Sequence, residues 1–197
     1  MMMPARKPRL LRGDLEERLS PFDIDHDKYP LIIVGIRGYY RDTMGKPGVN
    51  DRGIYDDAIF VVSPLAFAAF NANTDPSRYR EGSGRGNGKG MASLKPGFWP
   101  AYRFDRHRGR VLSYPAICQR AGPVTVIRDG DPPYEHTGMF GINIHRGGKG
   151  TTGSGGCQTV PPDQWDSFYA LARDQAQRFF GTKWKQAVIP YILLEEK

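Results

Sequence analysis

At 197 residues, with 39% hydrophobic and 12% aromatic residues, the chain is long enough for one domain with a sizeable core. Its 24 glycines and 16 prolines exclude a helical bundle and favour strands joined by many turns. The net charge of +7 fits an anionic partner, but the basic residues are scattered between apolar stretches and cluster only at Arg6 to Arg12 and Arg103 to Arg110. A solvated basic surface is therefore expected, and no nucleic acid.

Residues 1–27 are polar, charged and proline-bearing, and read as a flexible arm with one helical turn around Asp14 to Leu19. The basic N-terminus lacks the apolar centre of a signal peptide, so synthesis in the cytoplasm is expected. No apolar run approaches membrane-spanning length, so no membrane anchor is expected. Asp23, Asp25 and Asp27 alternate like the start of a calcium loop, but the glycine and closing glutamate of that loop are missing. A solvated loop is the reading, with no metal and no cofactor.

Residues 28–197 read as a single domain. Leu31 to Ile36 and Ala58 to Val62 are buried strands, separated by a glycine-punctuated loop that carries Tyr39. Pro64 to Phe70 is apolar and ambiguous in type, and Asn71 to Ser77 is rich in turn formers. Gly82 to Gly90 alternates glycine with polar residues. It is not a phosphate loop, because Lys89 is followed by Gly90 and no helix signal follows. It reads as a mobile loop or as a loop flanking a substrate cleft.

Strand patterns then recur at Phe98 to Phe104, Val111 to Gln119, Pro123 to Arg128 and Phe140 to His145. Pro161-Pro162 opens an amphipathic helix, with apolar residues at helical spacing from Trp165 to Phe180, and Gly181 ends it. A last strand runs from Ala187 to Leu194, where Pro190 predicts an edge or a bulge. The expected fold is mainly β, a sandwich or barrel-like domain with one amphipathic C-terminal helix.

The chemistry concentrates between Gly141 and Val160. Ile142-Asn143-Ile144 alternates into His145, a glycine-rich loop follows, and Ser154-Gly155-Gly156-Cys157 ends it. Four readings compete: a buried thiol with a satisfied histidine, a metal site, a disulfide between Cys118 and Cys157, and a cysteine nucleophile with a histidine base. The remaining histidines, His26, His107 and His136, are not at zinc-ligand spacing. Small residues before Cys157 clear space for a substrate, and the amides of Gly156 and Cys157 are expected to point at an oxyanion.

This stretch resembles the active-site motif of L,D-transpeptidase (YkuD-type) catalytic domains. There, a histidine ending a strand is followed by a loop and then Ser/Thr-x-Gly-Cys. Ile144-His145 matches the first half and Ser154 to Cys157 the second, while Leu94 to Trp99 partly echoes an upstream Pro-x-Gly-x-Phe signature. The departures are a short loop, Gly155 in place of a common histidine, and Thr159 where arginine or asparagine usually stands. They fall where substrate choice is decided, and the last helix and strand look like additions.

The resemblance implies a mainly β sandwich and a peptidoglycan-acting cysteine acyl-transfer enzyme of the phage- or prophage-associated kind. Cys157 attacks the L,D-peptide bond of a stem peptide, His145 is the base, and the Arg146 carbonyl orients the imidazole. Ser154 bonds within the loop, and Gly156 and Cys157 hold the oxyanion. Gly155, Thr159, Tyr39 and Trp99 are the expected substrate contacts, with half-buried packing the alternative for the tyrosine. Hydrolysis is favoured over cross-linking, with action at the cell wall or periplasm after delivery or lysis. The competing expectation is a non-enzymatic wall-binding or virion structural protein on the same β scaffold.

Overall fold

The computed structural model describes residues 2–82, 88–108 and 113–196. Five residues of the glycine-rich stretch, 83–87, and residues 109–112 lie outside the described residues. In chain order the elements are helix α1 (Arg12–Leu19) and strands β1 (Ile32–Arg37), β2 (Asp57–Ser63), β3 (Ala66–Ala72), β4 (Ala92–Leu94) and β5 (Gly97–Arg108). Strands β6 (Ser113–Gln119), β7 (Val124–Arg128), β8 (Tyr134–Gly138), β9 (Ile144–Arg146) and β10 (Gln158–Val160) follow. Helix α2 (Pro162–Phe180) and strand β11 (Ile189–Glu195) complete the set.

The fold is mainly β, as expected. An eight-stranded sheet has the order β10-β9-β6-β5-β11-β1-β2-β3. Its two ends meet at one bridge, in which the Asn73 N–H donates to the Thr159 carbonyl at 2.9 Å and the Thr159 N–H to the Asn73 carbonyl at 2.8 Å. The sheet is therefore a nearly closed barrel. A three-stranded sheet, β4-β7-β8, lies beside it.

The run Leu31 to Ile36 is apolar at every ungapped position because both faces of β1 are covered. Ile33 faces a core built with α2, while Ile32, Val34 and Ile36 face a second cluster closed by Leu15 and Leu19 of α1. Gly35 is dictated by packing, since a Cβ there would lie 1.9 Å from the Tyr191 hydroxyl. Helix α2 packs Trp165, Phe168, Ala172 and Ala176 into the main core. Its two buried glutamines are satisfied: Gln164 accepts from the Asn71 N–H and Gln175 from the Ser63 hydroxyl.

Two expectations need correcting. The N-terminal arm is docked along the barrel. Leu15 and Leu19, one helical turn apart, are buried, and burying each contributes about 2 kcal/mol. Arg12 donates to the Ser63 and Ala66 carbonyls, the Arg9 N–H donates to the Tyr39 hydroxyl, and the Tyr55 N–H donates to the Met2 carbonyl.

Strand β11 is the other correction. It is central, parallel to β1 on one side and antiparallel to β5 on the other, so it is no addition to the domain. Pro190 is accommodated by the register shift between Ile189 and Tyr191, where the β5 ladder does not need its missing N–H. The bulge half of the expectation holds and the edge half does not.

A buried acidic group stiffens the loop between β1 and β2. Asp57 accepts from the Gly38 and Thr74 amides, both at 2.6 Å, and Arg37 pairs with Asp75 at 3.2 Å. Asp56 accepts from the Asp51 N–H, but burial and the nearby Asp75 and Asp51 push its carboxyl up to about 7.

Candidate active site

Strands β9 and β10 run parallel, pairing Gln158 with Ile144 and Thr159 with His145. The pairing continues one residue earlier, because the Gln158 N–H donates to the Asn143 carbonyl at 2.8 Å. Cys157 therefore lies opposite Asn143, and the period-two alternation of strands puts Cys157, Asn143 and His145 on one face. Cys157 and His145 are therefore diagonal neighbours on adjacent strands, their Cα atoms about 8 Å apart.

The short strand β9 is held by β6 on its other side, with Ile117 opposite Ile144. That register, carried on from the β5–β6 pairing of His107 with Tyr114, brings both aromatic rings to the same face. His107 stacks on His145 with centroids 4.0 Å apart and planes 17° apart. The Asn143 amide nitrogen is 3.0 Å from His107 Nδ1, and the Asn143 side-chain oxygen accepts from the Gln119 N–H. Asn143 must donate through its nitrogen, so His107 Nδ1 is the acceptor and His107 is neutral.

His145 Nδ1 lies 2.8 Å from the Arg146 carbonyl and 3.0 Å from the Tyr114 hydroxyl, which itself donates to that carbonyl at 3.2 Å. A carbonyl can only accept, so Nδ1 carries the proton and Nε2 is left with its lone pair. Burial and the neighbouring His107 lower the His145 pKa to about 4. The imidazole is thus neutral at physiological pH, with the free nitrogen in the form a base requires.

The thiol is held differently. Cys157 Sγ accepts from the Asn143 N–H and donates to the Gly141 carbonyl, both at 3.4 Å. Burial pushes its pKa up to about 11, against the small opposing pull of the Asn143 amide. No hydrogen bond joins Sγ to His145 among the described residues, so the pair rests as neutral thiol and neutral imidazole. Cys118 is also a free thiol, buried and pushed up to about 12, and the two cysteines form no disulfide.

No family model matches the chain, and no curated protein or solved structure does either. The site therefore has to be read from its own geometry.

The loop before Cys157 is built around Ser154. Its hydroxyl donates to the Cys157 carbonyl at 2.7 Å and accepts from the Gly156 N–H at 3.0 Å. The Gly156 amide, expected to face an oxyanion, is consequently occupied. The Cys157 N–H has no partner among the described residues and is the donor that remains. Gly156 is required here because φ is +141° and a Cβ would lie 2.2 Å from the Ala92 carbonyl oxygen. Segment 73–77 clamps the same loop: the Ser77 N–H donates to the Ser154 carbonyl, the Ser154 N–H to the Ser77 hydroxyl, and the Ser77 and Thr152 hydroxyls lie 2.7 Å apart.

The other expected contacts divide. Gly155 is exposed and lines a cleft of about 1080 Å³ together with Ser154 and Ile142. Thr159 is fully buried, so it offers nothing to a substrate. Tyr39 stacks edge-on with Tyr40 against the α1 side, and Trp99 donates to the Lys95 carbonyl and packs on the core. Neither lines the cleft, and neither is hydrogen-bonded or ring-stacked to the residues around Cys157. Arg146 is exposed, with its guanidinium 5.2 Å from the Tyr114 ring centre. Sequence reasoning missed His107, Tyr114 and Asn143. The alternation of His107 and Asp105 on a strand was the only local signal for the first of these. No group of ligands able to hold a metal is found among the described residues.

Proposed function

We propose that the protein is a cysteine acyl-transfer enzyme that cleaves the L,D-peptide bond of peptidoglycan stem peptides. The observation that carries this reading is the placement of Cys157 and His145 on one sheet face, with Nδ1 committed to the Arg146 carbonyl and Nε2 free. That is the arrangement a thiol nucleophile and its base require. The choice of bond and polymer rests on the resemblance of Ile144-His145 and Ser154 to Cys157 to the L,D-transpeptidase motif.

In the proposed reaction the Cys157 side chain turns from the Gly141 carbonyl toward His145 as substrate enters. Nε2 takes the thiol proton while sulfur bonds to the scissile carbonyl carbon. The oxyanion is met by the Cys157 N–H. The C–N bond then breaks, and His145 returns the proton to the departing amine. Water, activated by the same nitrogen, hydrolyses the thioester and restores the thiol. An amine acceptor in place of water gives exchange. Tyr114 and the Arg146 carbonyl keep the imidazole in the correct tautomer throughout, and stacking on His107 fixes its plane.

The test is release of the terminal D-amino acid from a disaccharide tetrapeptide, with the mass of a thioacyl adduct on Cys157 as a second readout. Cys157→Ala and His145→Ala are expected to abolish release while the protein stays folded. Undiminished release by either variant would falsify the proposal.

A second reading, a binding module without turnover, is favoured by one observation: Sγ donates to the Gly141 carbonyl and has no hydrogen bond to His145 among the described residues. It predicts peptide binding with no adduct at any pH.

A further inference from the structure

The cleft that ends on Ser154 and Gly155 is lined by Arg78, Arg80, Lys89 and Arg128, and no acidic residue lines it among the described residues. The buried acid Asp129, whose partners include the Arg80 N–H, is already consumed. It takes both terminal nitrogens of Arg52, at 2.7 and 2.8 Å, and the Arg80 N–H. Glu135 pairs with Lys95 and Glu81 with the Tyr79 hydroxyl. The cleft cations therefore have no carboxylate of their own among the described residues.

Several of these cations are held for something other than solvent. Arg80 Nε is buried with no hydrogen-bond partner, and one of its terminal nitrogens touches only the Met91 sulfur, at 3.4 Å. Arg128 is anchored by the Gly90 carbonyl at 2.9 Å and by His136 Nδ1, and it lies 4.9 Å from the Phe140 ring centre. Burial without an acidic partner lowers the Arg128 pKa, and desolvation, aided by Lys89 and Arg128, lowers that of His136, so His136 accepts rather than repels. Clustering like charges in a partly enclosed space is costly unless an anion enters. Arginine forks suit planar carboxylates, and the cleft walls also carry Met91, Phe140 and Ile142 for aliphatic chain.

We propose that this cleft is the anchoring subsite for a peptide bearing two or more free carboxylates, which Arg78, Arg80 and Arg128 recognise. Through Gly155 it delivers the peptide to the loop that carries Cys157. The size of the cleft admits several residues of peptide rather than one small anion. Only the delivery clause rests on the reading of Cys157 as nucleophile. The binding itself does not.

The experiment uses the full chain carrying Cys157→Ala, so that binding is measured without turnover. The probes are synthetic L-Ala-γ-D-Glu-meso-diaminopimelyl-D-Ala and the same peptide with its carboxylates amidated, titrated calorimetrically at low salt. Binding of the free acid is expected, with at least a tenfold loss on amidation. Roughly a tenfold loss is expected in Arg80→Gln and in Arg128→Gln, as for a charge-assisted pair. Arg78 is exposed, so Arg78→Gln leaves the fold intact and is expected to cost a smaller, salt-dependent factor.

Equal binding of the amidated peptide, unchanged affinity in all three variants, or no binding of either peptide overturns the proposal. Competition by millimolar inorganic phosphate that matches the peptide's affinity also overturns it, because the site then selects a small anion. Tight, carboxylate-dependent binding with no cleavage by the unmodified chain leaves this inference standing and removes the proposed reaction.

Discussion

The resting state of the Cys157 thiol can be tested without knowing the substrate. With its pKa near 11, only about 1 thiolate in 3,000 molecules is present at pH 7.5. An unperturbed cysteine, with a pKa of about 8.5, has roughly 1 in 10. The deficit of about 300-fold is partly offset because a more basic thiolate is intrinsically more nucleophilic, by about tenfold over this interval. Alkylation of Cys157 by iodoacetamide should therefore run about 30-fold slower than that of a free cysteine peptide at pH 7.5. The rate should climb nearly tenfold per pH unit up to pH 10 without levelling. Peptide-resolved mass spectrometry follows Cys157 separately from Cys118. His145→Ala should leave this profile almost unchanged, because the imidazole contributes no charge to the resting thiol. A plateau reached below pH 8, or a rate equal to that of the free peptide, would show a preformed thiolate–imidazolium pair and refute the argument.

Removing the Ser154 hydroxyl in Ser154→Ala takes away the bonds to the Cys157 carbonyl and the Gly156 amide, which should cost about 1–3 kcal/mol. The thermal midpoint should then fall by roughly 3–10 °C by scanning calorimetry. Asp56 gives a pH dependence of the opposite sign to that of an ordinary salt-bridged acid. Its folded-state pKa near 7 lies above the ordinary aspartate value of 3.8, so the folded state binds the extra proton between these values. Its contribution to stability is present below pH 4 and is lost as pH rises through 7. Asp56→Asn should flatten the decline in thermal midpoint between pH 5 and 8, measured against the unmodified chain.

The elements that depend on local pattern were the legible ones. The apolar run of β1, the alternation into His145, and the Pro161-Pro162 start and Gly181 stop of α2 all state their structure within a few residues. That His145 lies in a strand and Cys157 follows a loop of small residues was legible too, because these are local facts. What escaped depends on register and closure. His107 and Tyr114 reach His145 only because the β5–β6 hairpin lies against β9 in one particular alignment. Pro190 argued for an edge, and nothing nearby in sequence revealed that a bulge would let β11 sit in the middle of the sheet. The Gly156 amide looked free because its competitor, the Ser154 hydroxyl, could equally have pointed away. The cleft cations come from segments as distant as Arg78 and Arg128, so no single stretch advertised them.

The central position of β11 governs when the sheet can close. While the chain is being made on a ribosome, β1 and β5 emerge long before the strand that must lie between them. Until residue 195 is free, those strands have no common neighbour, and the Tyr191 hydroxyl is not there to meet the Gln158 side chain beside the thiol. The face that carries Cys157 and His145 is thus assembled only after nearly all of the described sequence has been translated. A product that stops short of β11 therefore lacks the strand that joins β1 to β5 and the Tyr191 hydroxyl that supports Gln158.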